Sequence, residues 1–442
     1  MTPHTPPAPP EGPPVPPHGP APITVLGRGP HPLPPGDAAL LAAATLVAGA
    51  RRHLEAAPVP AGARRVVLGP LAPALDAVAA EAARDGGRVV VLASGDPGFF
   101  GVVRALGERF GPRRLEVRPD VPSVAAAFAR LGLPWDDAVV VSAHGRAPHT
   151  AYNVCRAHRK AAVLTAPGAG PAEIGAALLR TPGVERRLVV ASDLGGPDER
   201  VEEVPPAEAA ARTWPGVNLV LCLGPGSGPE GGPGGMRTLA GAPPAPAGWA
   251  LPEDAFEHRD SMVTKAEVRA LALARLGPHP GALVWDVGAG SGSVAVECAR
   301  LGAAAVAVER TADGAARIAA NARAHGVDVS VVHGEAPRAL AALPDPDAVF
   351  VGGGGAGLPA VVAACAARAR RTVVVTLAAV DRVPAVRAAL RAAGLEDGGV
   401  LLQSSRLAPL PGDVVRLAAA NPVFVLWGHR PGAPRRQGGV LP

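Results

Sequence analysis

Short, nearly continuous apolar runs alternate with Ala-rich amphipathic stretches along most of the chain, and that alternation predicts an α/β protein whose strands are buried between helices. In a first block the runs are ITVLG (23–27), RVVLG (65–69), RVVVLA (88–93), AVVVSA (138–143), AAVLTA (161–166), RLVVAS (187–192) and NLVLCL (218–223). A second block is more regular, with ALVWDVG (282–288), AAVAVE (304–309), VSVVH (329–333), AVFVG (348–352), TVVVT (372–376), VLLQS (400–404) and PVFVLWG (422–428). Helices fit between these strands, for example over 293–301 and 313–325, and the last two strands read as joined without a full helix. No internal repeat relates the two blocks residue by residue.

Composition divides the chain. The 55 Gly and 52 Pro among 442 residues approach the level at which a chain reads as low-complexity, yet 48% of residues are hydrophobic and 18% charged, enough to bury a core. Three segments concentrate the Gly and Pro: an unstructured arm over 1–22, a flexible linker over 224–248 and a tail over 431–442. Two domains are therefore expected, over 23–223 and 249–430, each of ordinary size.

The net charge of +5 is carried almost wholly by arginine, since Lys160 and Lys265 are the two lysines of the sequence. Acidic and basic residues are interspersed, with no basic cluster beside stacking aromatics, so nucleic acid is not the expected partner. A polycarboxylate substrate suits this balance. Cys155, Cys222, Cys298 and Cys365 form no CxxC pair and have no His at zinc-finger spacing. They read as buried thiols in a reducing compartment, and no metal is expected. The first residues lack the charged-then-apolar pattern of a signal peptide. Apolar stretches such as Ala38–Ala50 are too short to span a bilayer, so the expected location is cytoplasmic, away from membranes.

The strongest chemical signal is DVGAGSGSV, Asp286–Val294, between a strand and a helix. Gly288, Gly290 and Gly292 permit a tight turn and close approach of a ligand, and the helix opening at Ser293 offers free N–H groups to an anion. Glu309 ends the next strand, where an acid accepts hydrogen bonds from a ribose. The GxGxG spacing favours S-adenosylmethionine over NAD. Past the third strand comes GEAP, with Glu335 and Ala336 placed to meet an adenine. The VGGGG run after the fourth strand, including Gly353, leaves a gap without side chains that suits a large flat substrate or the transferring methyl. Upstream, Thr264 with Glu267 three residues on has a capping-box pattern, and Lys265 is a candidate to neutralise a substrate carboxylate.

Taken together, MVTKAEVRALALARLGPHPGALVWDVGAGSGSVAVECARLG, AVER, GEAP, VFVGGGG and NPVFVLWG resemble the decarboxylating precorrin methyltransferases of cobalamin biosynthesis over nearly all of 255–430. The first block resembles the tetrapyrrole (corrin/porphyrin) methylases in ITVLGRGP (23–30), GARRHLE (49–55), LASGDPGFFG (92–101) and VVSAHGR (140–146). The resemblance implies an N-terminal two-subdomain tetrapyrrole methylase fold and a C-terminal seven-stranded Rossmann-like fold, both using S-adenosylmethionine as co-substrate. It implies cofactor contacts at Gly27, Gly29, Gly95, Asp96, Pro97 and Ser142 in the first block, with His144 and Arg146 facing substrate carboxylates. Thr264 and Lys265 would act at the second site. His31 stands where the family more often carries glycine.

The implied reaction methylates precorrin-6B at ring carbons 5 and 15 and decarboxylates the ring C acetate, giving precorrin-8. A reduced tetrapyrrole is nucleophilic at those carbons, so orientation and charge removal suffice. Self-association is an implied tendency of the second domain. An RNA methyltransferase and a non-catalytic module that holds a corrin intermediate stay open as other readings of the residues.

Overall fold

The computed structural model describes residues 22–29, 31–145, 147–227, 248–259, 263–353 and 355–432. Most of the arm, linker and tail lie outside the described residues, as does Arg146. Two compact units divide at the middle of one helix, Met1–Ala126 and Ala127–Pro442.

The first unit is a parallel sheet. Its strands are β1 (Ile23–Arg28), β2 (Leu46–Gly49), β3 (Arg64–Val67), β4 (Val89–Ser94) and β5 (Leu115–Arg118), in the order β3-β2-β4-β1-β5. The helices are α1 (Pro35–Ala42), α2 (Arg51–Ala56), α3 (Leu71–Ala82) and α4 (Val103–Phe110), with α5 (Ser123–Leu131) crossing the boundary. Period-two alternation sends Ile23, Val25, Val89 and Val91 to one apolar cluster and Leu26, Val90 and Leu92 to another. Both faces are covered, which is why these strands read as unbroken apolar runs.

In the second unit a mixed sheet comes first: β6 (Val139–Ser142), β7 (Lys160–Leu164), β8 (Arg187–Ser192), β9 (Arg200–Val204) and β10 (Asn218–Leu223), in the order β6-β7-β10-β8-β9. It carries α6 (His149–Ala157), α7 (Pro171–Leu179) and α8 (Pro206–Ala211).

A seven-stranded sheet follows, ordered β13-β12-β11-β14-β15-β19-β16. Its strands are β11 (Leu283–Val287), β12 (Ala304–Glu309), β13 (Val329–His333), β14 (Ala348–Val351), β15 (Thr372–Leu377), β16 (Glu396–Leu402) and β19 (Val423–His429). All neighbours are parallel except those of β19, which runs against β15 and β16. Helices α9 (Ala266–Leu276), α10 (Ser293–Arg300), α11 (Ala312–Ala324), α12 (Leu358–Arg368) and α13 (Val383–Ala392) cover it. Along β11, Trp285 and Val287 face one cluster and Val284 another, so Asp286 comes to the strand's carboxyl end on the second face. All four cysteines are buried. Among the described residues no helix is long and apolar enough to cross a membrane.

The two sheets of this unit are joined by polar contacts. Asn153 Nδ2 donates to the carbonyl of Gly281 at 3.1 Å, and Ser330 Oγ donates to the carbonyl of Pro182 at 2.6 Å. Asp328 accepts from Arg159 at 3.1 Å and from Arg186 at 3.0 Å.

Several elements depart from expectation. Strands β2, β5 and β9 escape the apolar-run criterion. LVAG lies inside the Ala-rich stretch 38–50, whose first half is α1, while LEVR carries charge at alternate positions and RVEEV at three of its five. The predicted helix-free link between the last two strands holds, and it contains a hairpin, β17 (Ser405–Leu410) with β18 (Val414–Ala419). Thr264 does not cap α9: Lys265 is the N-cap residue, with no side-chain cap. Glu267 turns instead to Arg406 of β17, which also binds Glu253 at 2.7 Å.

Candidate active site

A cavity of about 1230 Å³ opens at the carboxyl ends of β11, β12, β14 and β15, the edge where open parallel sheets bind ligands. Of the residues singled out from the sequence, Thr264, Lys265, Asp286, Gly288, Gly290, Glu309, Glu335, Ala336 and Gly353 line it. Gly292 and Ser293 do not; they form the start of α10 behind the turn, with Ser293 buried.

The glycine turn is built from left-handed backbone. Gly288, Gly290 and Gly292 have φ of 73°, 57° and 73°, a region that side chains disfavour. A Cβ on Gly288 would sit 3.2 Å from the Gly353 amide, so the turn after β11 and the glycine loop after β14 lie against each other. A Cβ on Gly292 would meet Ile318 Cγ2 at 2.8 Å. Glycine at 288 keeps the cavity floor open, and at 292 it lets α11 close on the turn.

Two carboxylates stand at this floor in different states. Asp286 is buried; its Oδ2 accepts from the Ala295 amide at 3.0 Å, and its Oδ1 has no hydrogen-bond partner. Burial pushes its carboxyl up to about 7, with Glu309 adding to the rise against the Ala295 bond. Glu309 is tied down at both oxygens: Oε2 accepts from the Gly290 amide at 3.0 Å, and Oε1 accepts from Thr311 N at 3.0 Å and Thr311 Oγ1 at 2.9 Å. It thereby locks the turn after β11 to the end of β12. Each carboxylate oxygen has capacity for a further donor.

Sequence reasoning missed Arg259 and the Thr376–Ala378 segment at the end of β15, which also line the cavity. The latter was within reach, since every strand of a parallel sheet presents its carboxyl end to the same edge.

In the first unit, Gly27 and Gly29 close the end of β1 against the Gly95 turn. A Cβ on Gly27 would lie 2.1 Å from the Gly95 carbonyl oxygen and 2.4 Å from the Asp120 amide. Gly29 N donates to Asp120 Oδ2 at 2.7 Å. Gly95 has φ of 52°, and Asp96 Oδ1 accepts from the Gly98 amide at 2.8 Å, holding the turn that continues through Pro97. His31 is exposed beyond these contacts. Asp120, which clamps Gly29 from 91 residues away, had no local signal in the sequence.

In the second unit, Ser142 ends β6 and its Oγ accepts from the His144 amide at 3.3 Å. His144 Nδ1 donates to the Thr165 carbonyl at 3.0 Å, and the residue is exposed.

Residues 254–428 match the family model described as Precorrin methyltransferase domain, and residues 23–210 match Tetrapyrrole (Corrin/Porphyrin) Methylases. A Sinorhizobium protein, Precorrin-6Y C(5,15)-methyltransferase (decarboxylating), is 37% identical over 342 residues, covering 75% of this chain and 78% of that one. The Cobalt-precorrin-7 C(5)-methyltransferase of Salmonella typhimurium is 32% identical and covers 41% of this chain and 90% of its own. Among solved structures, the C-terminal domain of precorrin-6Y C5,15-methyltransferase from Rhodobacter capsulatus is 34% identical, with 41% of this chain and 97% of that chain covered at a TM-score of 0.36. On the Sinorhizobium relative, alike across most of both chains, and on the two domain models in that order, the chain belongs to the precorrin-6Y C(5,15)-methyltransferase (decarboxylating) family.

Proposed function

We propose that this protein methylates a precorrin ring at carbons 5 and 15, using S-adenosylmethionine, and decarboxylates the ring C acetate to a methyl in cobalamin biosynthesis. The substrate is precorrin-6B, the product precorrin-8, and the reaction runs in the cytoplasm. The block over 23–223 serves carbon 5, and the block over 249–430 serves carbon 15 with the decarboxylation. One observation carries the second half of this reading: the cavity whose floor joins left-handed glycines to a buried carboxylate with an unpartnered oxygen, Asp286 Oδ1.

The residues fit the cofactor. Asp286 Oδ1 awaits a donor, which the cofactor's α-ammonium supplies. Glu309, already oriented by Gly290 and Thr311, takes the ribose hydroxyls, and Glu335 with Ala336 borders the adenine. When bound, the cofactor supplies an electrophilic methyl on a sulfonium. The glycine loop at Gly353 leaves a stretch of cavity wall free of side chains, where a flat ring would fit beside the bound cofactor. Lys265 and Thr264 stand at the rim, where Lys265 meets a ring carboxylate. For the first block, the family resemblance assigns cofactor contacts to Gly27, Gly29, Gly95, Asp96 and Pro97 of the first unit and, separately, to Ser142 of the second, with His144 as a substrate contact; Arg146, the other such candidate, lies outside the described residues.

The ring carbon is itself the nucleophile, so the protein's task is positioning and a suitable field rather than strong base catalysis. Decarboxylation leaves an electron pair that the conjugated ring accepts, and a proton completes the methyl left on ring C. Incubation with precorrin-6B and methyl-labelled S-adenosylmethionine, followed by mass spectrometry, tests the reading. Two labelled methyls gained and one carbon dioxide lost is the expected product; an unchanged mass overturns it.

A further inference from the structure

The GARRHLE motif has no part in the chemistry above, yet the fold brings it to a ligand-binding edge. In the sheet order β3-β2-β4-β1-β5, the chain leaves β1 toward β2 and leaves β4 toward β5, in opposite directions. The carboxyl ends of β1 and β4 are therefore a topological switch point, where open α/β sheets form a crevice. Arg28 and Ser94 are register partners on β1 and β4 at that point, and paired residues of a parallel ladder project from the same face.

Helix α2, which follows the neighbouring strand β2, reaches the same spot. Arg52 Nη2 donates to Ser94 Oγ at 2.8 Å, and His53 Nε2 shares a hydrogen bond with Ser94 Oγ at 2.9 Å. Burial first, and then Arg52 and Arg28, lower the His53 imidazole to about 4. Both guanidinium groups thus lie close enough to be felt at one ring. Among the described residues neither forms an ion pair with a carboxylate. Arg52 and Ser94 are exposed and accessible from solvent.

A tie between α2 and β4 requires only the His53–Ser94 bond. Two arginines beside it without an acid concentrate like charge at a cost, and an incoming anion relieves that cost. We propose that Arg28, Arg52 and Ser94 form a carboxylate-binding site at the carboxyl edge of the first unit's sheet, with His53 positioning the serine. The inference rests on the reading of the first block as the carbon-5 methyltransferase. That reaction offers two carboxylate sources, the acetate and propionate arms of the tetrapyrrole and the methionine moiety of the cofactor. A planar guanidinium fork suits either.

The test uses the full chain with Arg28→Gln and Arg52→Gln combined, both at positions without an acid partner to orphan. Carbon-5 and carbon-15 methylation are read separately by product mass. A KM for the tetrapyrrole raised roughly tenfold or more in the carbon-5 step alone assigns the site to a ring side chain, since a hydrogen bond to a charged group is worth at least about one decade. The same rise in KM for S-adenosylmethionine assigns it to the methionine carboxylate. Unchanged KM values for both, or an equal loss at carbon 15, overturn the proposal.

Imidazole NMR of the full chain with uroporphyrin, a tetrapyrrole octacarboxylate, needs no turnover and separates failure of this site from failure of the catalytic reading. The His53 resonances should shift in the unaltered protein, with binding at least tenfold weaker in the double variant. No shift in the unaltered protein with uroporphyrin and none with S-adenosylmethionine overturns the site.

Discussion

Arg269 Nε lies 2.8 Å from Glu297 Oε1, with both side chains fully buried. Glu297 also accepts the amides of Ala250 and Leu251 at 2.8 Å each, so one carboxylate fixes α9, α10 and the entry of the chain into the second block. Glu297→Ala strands a buried guanidinium and should cost roughly 3–5 kcal/mol. Urea unfolding of the variant checks this; a loss below about 1 kcal/mol would show the pair to be dispensable.

The two glycine turns should fail separately. Gly288→Ala forces a side chain into left-handed backbone, 3.2 Å from the Gly353 amide. With about 1–2 kcal/mol of strain at the cavity floor, carbon-15 methylation and decarboxylation should fall about tenfold or more while carbon-5 methylation persists. Gly27→Ala, whose Cβ would overlap the Gly95 carbonyl at 2.1 Å, should give the opposite pattern. Product masses distinguish the two, and loss of both methyls in either variant would refute the assignment of one turn to each carbon.

Asp286 gives a pH signature. Its native carboxyl is raised to about 7 from an ordinary 3.8, so the folded state holds a proton that the unfolded state has released. Its contribution is fully present below pH 3.8 and lost as pH rises through about 7. Asp286→Asn keeps an acceptor for the Ala295 amide and never ionises. It should therefore raise the melting temperature above pH 7, with the advantage shrinking toward pH 4. Calorimetry across that window is the measurement, and a pH-independent difference would contradict it.

Asp328 should behave in the reverse sense. Burial alone would raise its carboxyl, but Arg159 and Arg186 together hold it below the ordinary range. Its stabilisation is present at neutral pH and lost as pH falls below about 3.8. Arg186 retains three carbonyl partners, so Asp328→Ala should cost about 1.5–3 kcal/mol, less than the Glu297 variant. Paired urea titrations at pH 7 and pH 3 should show the difference narrowing at the lower pH.

Much of this was legible in the sequence, for a physical reason. Strands buried on both faces are apolar throughout, so the inner strands of the large sheet stand out, while the exposed edge strand β16 shows only its apolar end, VLL, and Asp286, Gly288 and Glu309 sit at strand ends because ligand edges are strand ends. What escaped was set by pairing or by distance. The edge strand β9 is charged at three of its five residues, β2 is four residues long, and the β17–β18 hairpin is exposed along most of its length. Glu267 looked like a capping partner because of its spacing from Thr264, but Arg406, 139 residues away, takes it. Asp120 and Ser94 gain their meaning only from neighbours supplied by the fold.

Where the Gly353 loop meets Gly288, the large cavity is bounded by main chain rather than side chains. Main-chain atoms survive almost any codon change, so drift at surrounding positions would leave this wall intact while altering the rim. Exchange of a side chain such as Lys265 or Arg259, both of which line the cavity, changes its charge without touching that wall. Selection for a new ring substituent would then be written in the rim, at positions where a single arginine or lysine appears or disappears.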